Sequence, residues 1–153
     1  MPIPTITSAR TPAHGLPYLY PGQAQKEPFV NEALARLDAL VHPLVLGELA
    51  APPNTPTSGD CYIVAGPATG VWTSHEGALA TWAETQWLFA EPREGMRVHD
   101  AASGGLLVFT VAQGWRGASV PALPTGGATQ DIEARAVLSE VVTKLHALGI
   151  FSA

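Results

Sequence analysis

Gln23-Ala24-Gln25-Lys26, followed after four residues by Asn31-Glu32-Ala33-Leu34-Ala35-Arg36-Leu37-Asp38-Ala39-Leu40-Val41, is the stretch from which the rest of the chain is read. It is the longest run of good helix formers in the first half. Val30, Leu34, Leu37 and Val41 recur at spacings of four, three and four, which places them on one helical face. Asn31 is of a type that caps helices, and Glu32 falls in the first turn, where the positive end of the helix dipole favours a carboxylate. Pro43 lacks an N–H and disfavours helical backbone at His42 before it. The spacing therefore predicts a helix over residues 31 to 42, its apolar face turned to a small core.

The chain around this helix is not built for a helical bundle. It has 153 residues with 15 Gly and 14 Pro, so turns are frequent and strands must be short. Hydrophobic residues make up 46%, enough for a core, but only 14% are charged, against the usual quarter. So few charges suit a surface partly covered by other chains. Net charge is −5 and no basic run occurs, which argues against a nucleic-acid partner, since phosphates need a positive stripe. The single cysteine, Cys61, has no internal disulfide partner and reads as a buried thiol. The opening residues do not read as a secretory leader, and no apolar run approaches membrane-spanning length. The expectation is synthesis in a cytoplasm, with no membrane insertion.

Residues 1–22 carry Pro at 2, 4, 12, 17 and 21 and read as an extended N-terminal arm, either a loose terminus or a strap lying on a neighbouring subunit. Residues 23–117 read as one domain, a small antiparallel β meander packed on the N-terminal helix. Leu44–Leu49 reads as a strand or a kinked helix tail, Cys61–Ala65 and Val71–Thr73 as strands, Ala78–Ala83 with Gln86–Ala90 as a hairpin, and Gly95–Asp100 with Leu106–Val111 as a second hairpin. A faint internal echo runs through the domain. Pro56-x-x-Gly59-Asp60 is followed by Trp82 and Trp87; Pro92-x-x-Gly95-Met96 is followed by Phe109 and Trp115. Two copies are too few for a solenoid and suggest a meander.

Residues 118–130 form a linker of small residues with Pro and Gly, and residues 131–153 a coiled-coil-like C-terminal helix. Ala134, Leu138, Val141, Leu145 and Leu148 recur at four, three, four and three, the a/d seam of a coiled coil. Acidic residues open this helix, Lys144 and His146 lie near its end, and Gly149 is a plausible stop. A lone helix of this length is marginal in water and must pack on something, either its own β core or further copies of itself, most simply as a parallel trimer.

No chemistry is announced. The five histidines lack metal-ligand spacing, no Ser sits in a nucleophile motif, and the Gly pairs lack the Lys of a phosphate loop, so no catalytic, cofactor or metal site is expected. A long-range set of His75, His99 and Asp100 is the weak exception. Trp72, Trp82 and Trp87 either form the β core or offer a shallow face to a cell-surface glycan, since indole rings stack on sugars.

The central stretch, continued through Pro56-x-x-Gly59-Asp60-x-Tyr62-Ile63-Val64, Ala68-Thr69-Gly70-x-Trp72, Trp87-x-Phe89-x-x-Pro92 and Gly95, resembles a family of uncharacterised domains found in tailed bacteriophages, prophages and gene transfer agents of alphaproteobacteria. Val30 stands where that family's pattern has histidine. The ending around Asp131–Ile150 resembles C-terminal segments of phage tail-fibre proteins. The resemblance implies a structural tail-fibre or fibre-attachment protein of the virion rather than an enzyme, self-associating as a homotrimer and touching other tail or baseplate proteins. The alternative is a carbohydrate-binding module for receptor recognition.

Overall fold

A computed structural model describes residues 10–20, 22, 26–83, 85–127 and 131–152. Residues 1–9 of the N-terminal arm (with Ile3 and Ile6), Pro21 and Gln23–Gln25 lie outside the described residues. In chain order the elements are α1 (Glu27–Leu40), β1 (Leu44–Val45), β2 (Glu48–Leu49), β3 (Cys61–Val64), a 3-10 turn (Gly70–Trp72), β4 (Leu79–Ala83), β5 (Gln86–Ala90), β6 (Arg97–Asp100), β7 (Gly105–Thr110), β8 (Gly114–Ser119), α2 (Ile132–Ala147) and β9 (Phe151–Ser152). The protein is mainly β with a helix near each end, as expected. No helix is long and apolar enough to cross a membrane among these residues.

The chain divides into two compact units: residues 1–43 with 48–91, and residues 44–47 with 92–153. The first holds a four-stranded sheet in the order β2-β3-β4-β5, the second a five-stranded sheet in the order β1-β6-β7-β8-β9. Leu44–Leu49, read as one strand or a helix tail, is thus two very short strands that serve different sheets.

The echo in the sequence is a repeat in the backbone. In the first unit Gly59 N–H donates to Trp82 O at 2.9 Å, Asp60 N–H to Thr57 O at 2.9 Å, and Trp82 N–H to Asp60 O at 2.8 Å. In the second, Gly95 N–H donates to Phe109 O at 2.9 Å, Met96 N–H to Arg93 O at 2.9 Å, and Phe109 N–H to Met96 O at 2.8 Å. β2 pairs parallel with β3 through Leu49↔Val64, and β1 pairs parallel with β6 through Val45↔Asp100. Each unit is therefore a turn closed by a positive-φ glycine, a strand with a short parallel partner, and an antiparallel hairpin. The aromatic pairs sit directly across these hairpins, Trp82 opposite Trp87 and Phe109 opposite Trp115, with ring centroids 5.1 and 5.4 Å apart.

The units differ in what joins the first two long strands. Between β6 and β7 there is only a tight turn. Between β3 and β4 the chain makes a detour that carries the 3-10 turn. Val71–Thr73, expected as a strand, curls because Trp72 N–H and Thr73 N–H bond back to Thr69 O and Gly70 O, both at 3.3 Å, with Thr73 Oγ1 also on Gly70 O. This turn delivers Trp72, fully buried, onto Val64 and Ala80, with Tyr62, Ala68, Trp87 and Phe89 around it. The opposite face of the same sheet carries Cys61, Ile63, Leu79, Thr81 and Leu88, since cross-strand partners share a face.

Helix α1 begins a turn earlier than its apolar spacing suggests. Pro28 fits the first turn, where an N–H is not needed, and places Asn31 inside the helix rather than at its cap. The helix ends before Pro43, with His42 at φ +53°.

The repeat makes a comparison possible. A Cβ on Gly59 (φ +95°) would lie 2.9 Å from Pro12 Cβ, whereas one on Gly95 (φ +79°) would meet nothing within 4 Å. Gly95→Ala should therefore cost only the backbone strain, about 1–2 kcal/mol, and Gly59→Ala about 3 kcal/mol or more because Pro12 must also move. Urea denaturation of the two variants measures the difference.

Candidate functional site

The expected inward face of α1 is not the one the protein uses. Val30, Leu37 and Val41 are exposed (38%, 53% and 45%), and only Leu34 is half-covered. The helix's one buried residue is Asp38. With Asn31, Leu34 and Ala35 it lies on a stripe one step round the helix, and the N-terminal segment is docked there through polar bonds. Asp38 accepts from Thr11 Oγ1 at 2.5 Å, Ala13 N–H at 2.9 Å and His14 N–H at 2.8 Å; His14 Nδ1 lies 3.1 Å from its Oδ1. That ring nitrogen must carry its proton, because an ionised carboxylate only accepts. Two turns back, Asn31 holds both sides of Leu19: its Oδ1 accepts the Leu19 N–H at 2.8 Å and its Nδ2 donates to the Leu19 carbonyl at 3.0 Å. Burial alone would push the Asp38 carboxyl up, but the hydrogen bonds to its charged form together outweigh that and hold it below the usual carboxylate range.

Helix α2 runs close to its expected bounds. Asp131 caps it, accepting from Ala134 N–H at 2.9 Å, and Gly149 stops it at φ +69°. Two attachments were not legible as such. Arg135 donates to the carbonyls of Pro124 and Gly126 at 3.0 and 2.6 Å, binding the preceding segment to the helix. After Gly149 the chain forms β9, which pairs parallel with the end of β8, while Leu106 N–H donates to Gly149 O at 2.7 Å. The helix is thus tied at both ends but buries none of its residues. Of its seam, Ala134, Leu138, Val141 and Leu148 are exposed and Leu145 is half-covered; Leu138, Val141 and Leu148 stand at 53%, 46% and 75%. The residues turned toward the chain itself are Arg135, Ser139, Val142 and Leu145.

The tryptophans separate. Trp72 is 0% exposed and out of reach of any ligand while the fold is intact. Trp82 and Trp87 are partly exposed across their hairpin. His75 stacks face to face on Phe89, with centroids 3.8 Å apart, and its Nδ1 is 3.6 Å from Glu91 Oε1. His99 lies in the other unit against Gly149, and Asp100 is occupied in its turn, accepting from Ala102 and Ser103 N–H. The weak set of His75, His99 and Asp100 is thus divided among three separate settings. Among the described residues no group of three or more His, Cys, Asp or Glu gathers where it could hold a metal ion. Cys61 is buried, receives a bond from Thr81 Oγ1 at 3.3 Å, and has its thiol pKa pushed up by burial, the opposite of what a nucleophile needs.

Residues 30–116 match the family described as protein of unknown function DUF2793. The chain belongs to that family. The DUF2793 match begins within α1 and ends in β8, so it takes in the repeated meander of both units together with Asn31 and Asp38. It leaves out the docked segment 10–20, α2 and β9. The exposed seam is therefore outside the DUF2793 region. No curated protein matches the chain.

Replacing Asp38 by Ala should cost about 3 kcal/mol at pH 7, the range for a buried charged acceptor whose donors are left unpaired. Because the folded pKa is depressed, the wild-type advantage is fully present above the ordinary carboxylate pKa. It is lost as pH falls through the folded value, so the gap between wild type and Asp38→Ala should begin to narrow once pH drops below about 4 and go on narrowing in stronger acid. Denaturation at pH 7 and at pH 3 checks it.

Proposed function

We propose that this DUF2793 protein is a non-enzymatic structural component of the tail of a bacteriophage or phage-like particle, a tail-fibre or fibre-attachment protein assembled as a homotrimer. The observation that carries this reading is the seam on α2, a preformed helix whose apolar stripe is left to solvent in the single chain. The motif resemblance to tail-fibre proteins supplies the setting.

The seam favours more than two strands. Its spacing puts Leu138 and Leu145 at a positions and Ala134, Val141 and Leu148 at d positions. Two-stranded coils prefer the β-branched residue at a and Leu at d, and here the central pair is reversed. The seam is short, but its helix is already held by Arg135 and β9, so association need not order it. Three copies of one surface would then turn weak contacts into strong ones through effective concentration. The outward residues of α1, Phe29 at 79% and Leu37 at 53% exposure, would meet another tail or baseplate protein. The protein would be made in a host cytoplasm and reside in the virion tail.

A free carbohydrate-binding module for receptor recognition is the second reading, and a cleft between α1 and the β4–β5 hairpin favours it.

Light scattering on a sizing column tests the first reading. The expected native mass is three times the 16.0 kDa of one chain. The double variant Leu138→Glu, Val141→Glu should fall to one chain mass with its circular dichroism unchanged, because both side chains are exposed in the single chain. A wild-type monomer at every attainable concentration overturns the trimer.

A further inference from the structure

The first unit contains a cleft of about 380 Å³ between α1 and the α1-facing side of the β4–β5 hairpin. That is within the range of about 300–1,000 Å³ typical of small-ligand sites. It exists because small side chains, Ala35 on the helix and Ala83 on the hairpin, line it where the two elements come together. Leu88 completes an apolar floor, and Tyr18 forms part of a wall. The rim is polar, with Glu32 on the helix and Gln86 on the hairpin.

The charges at this rim are already matched. Glu32 Oε1 accepts from Arg36 Nε at 3.0 Å and from Arg36 Nη2 at 2.8 Å. Arg36 Nη1 reaches past the helix to the carbonyl of Phe89 at 3.1 Å, so the guanidinium is fixed and holds the carboxylate in place. Among the described residues that line it, the site therefore offers little net charge to attract an ion. It does offer an acceptor, the second Glu32 oxygen, and an amide that both donates and accepts, Gln86. An apolar floor beneath a matched, hydrogen-bonding rim fits a ring with one apolar face and a belt of hydroxyl groups.

We propose that this cleft binds a single unit or a short end of a neutral saccharide, the hydroxyls donating to Glu32 and exchanging bonds with Gln86 while the ring lies on Leu88 and the two alanines. It rests on the glycan-recognition reading above and is independent of trimerisation. It also moves the contact from the tryptophan face to the other side of the hairpin, since Trp82 and Trp87 point away from Ala83 and Leu88 along the strands.

The full-length protein is screened on an array of neutral glycans, and the best saccharide is then titrated by calorimetry against four variants. Gln86→Ala and Glu32→Ala should each weaken binding about tenfold or more. Ala35→Leu should abolish it by filling the cleft, with helix content retained, since Leu is a good helix former. Trp82→Ala should leave it within about twofold, because Trp82 lies on the far side of the hairpin. Binding that survives the three cleft variants and is lost in Trp82→Ala overturns the cleft but keeps glycan recognition. An array with no neutral glycan bound overturns both.

Discussion

Sheet edges govern this architecture. Three antiparallel strands leave two rows of unpaired backbone groups, and an uncovered row invites pairing with other chains. Each unit of the protein covers its first edge in the same way, with a two-residue parallel strand drawn from the segment after α1. The last edges are covered differently. In the five-stranded sheet β9 adds to the end of β8; in the four-stranded sheet the Arg36 guanidinium caps the Phe89 carbonyl. Both helices take part in these arrangements. α1 lies where Arg36 reaches β5, and α2 ends where Gly149 hands the chain to β9.

Placing α1 in this way has a consequence for its surface. The helix shows solvent a run of apolar residues and keeps a carboxylate inside. Such a burial is tolerable only because Asp38 is supplied with donors from Thr11, Ala13 and His14. The same helix fixes Leu19 through Asn31, so residues 11–19 are tied to α1 by hydrogen bonds at both ends. The apolar stripe left outside, like the seam on α2, is then available to other chains. Both stripes are compatible with a protein that completes its core only in an assembly.

Much of the local structure was legible from consecutive residues. The two hairpins, the helix near each end, the stops at Pro43 and Gly149 and the echo of Gly59 in Gly95 all depend on turn chemistry or spacing within a few residues. The expected partners of the seam helix were open between its own core and further copies, and the single chain leaves that stripe uncovered. The candidate saccharide cleft was not legible, because Ala35 and Ala83 are ordinary residues until the fold brings them together.

The sequence by itself determined the helix near each end, the strands that pair as hairpins and most of the turns, since backbone propensity and left-handed glycines act locally. Only the tertiary structure decided which stripe of α1 faces inward, that Trp72 is core, that Leu44–Leu49 serves two sheets, and that the chain end returns as β9. Those outcomes depend on groups far apart in the chain, as with Thr11 and Asp38, which are separated by 27 residues, or Arg36 and Phe89, separated by 53. Periodicity fixes that a helix has an apolar stripe, but the donors that can satisfy a buried carboxylate decide which side is covered.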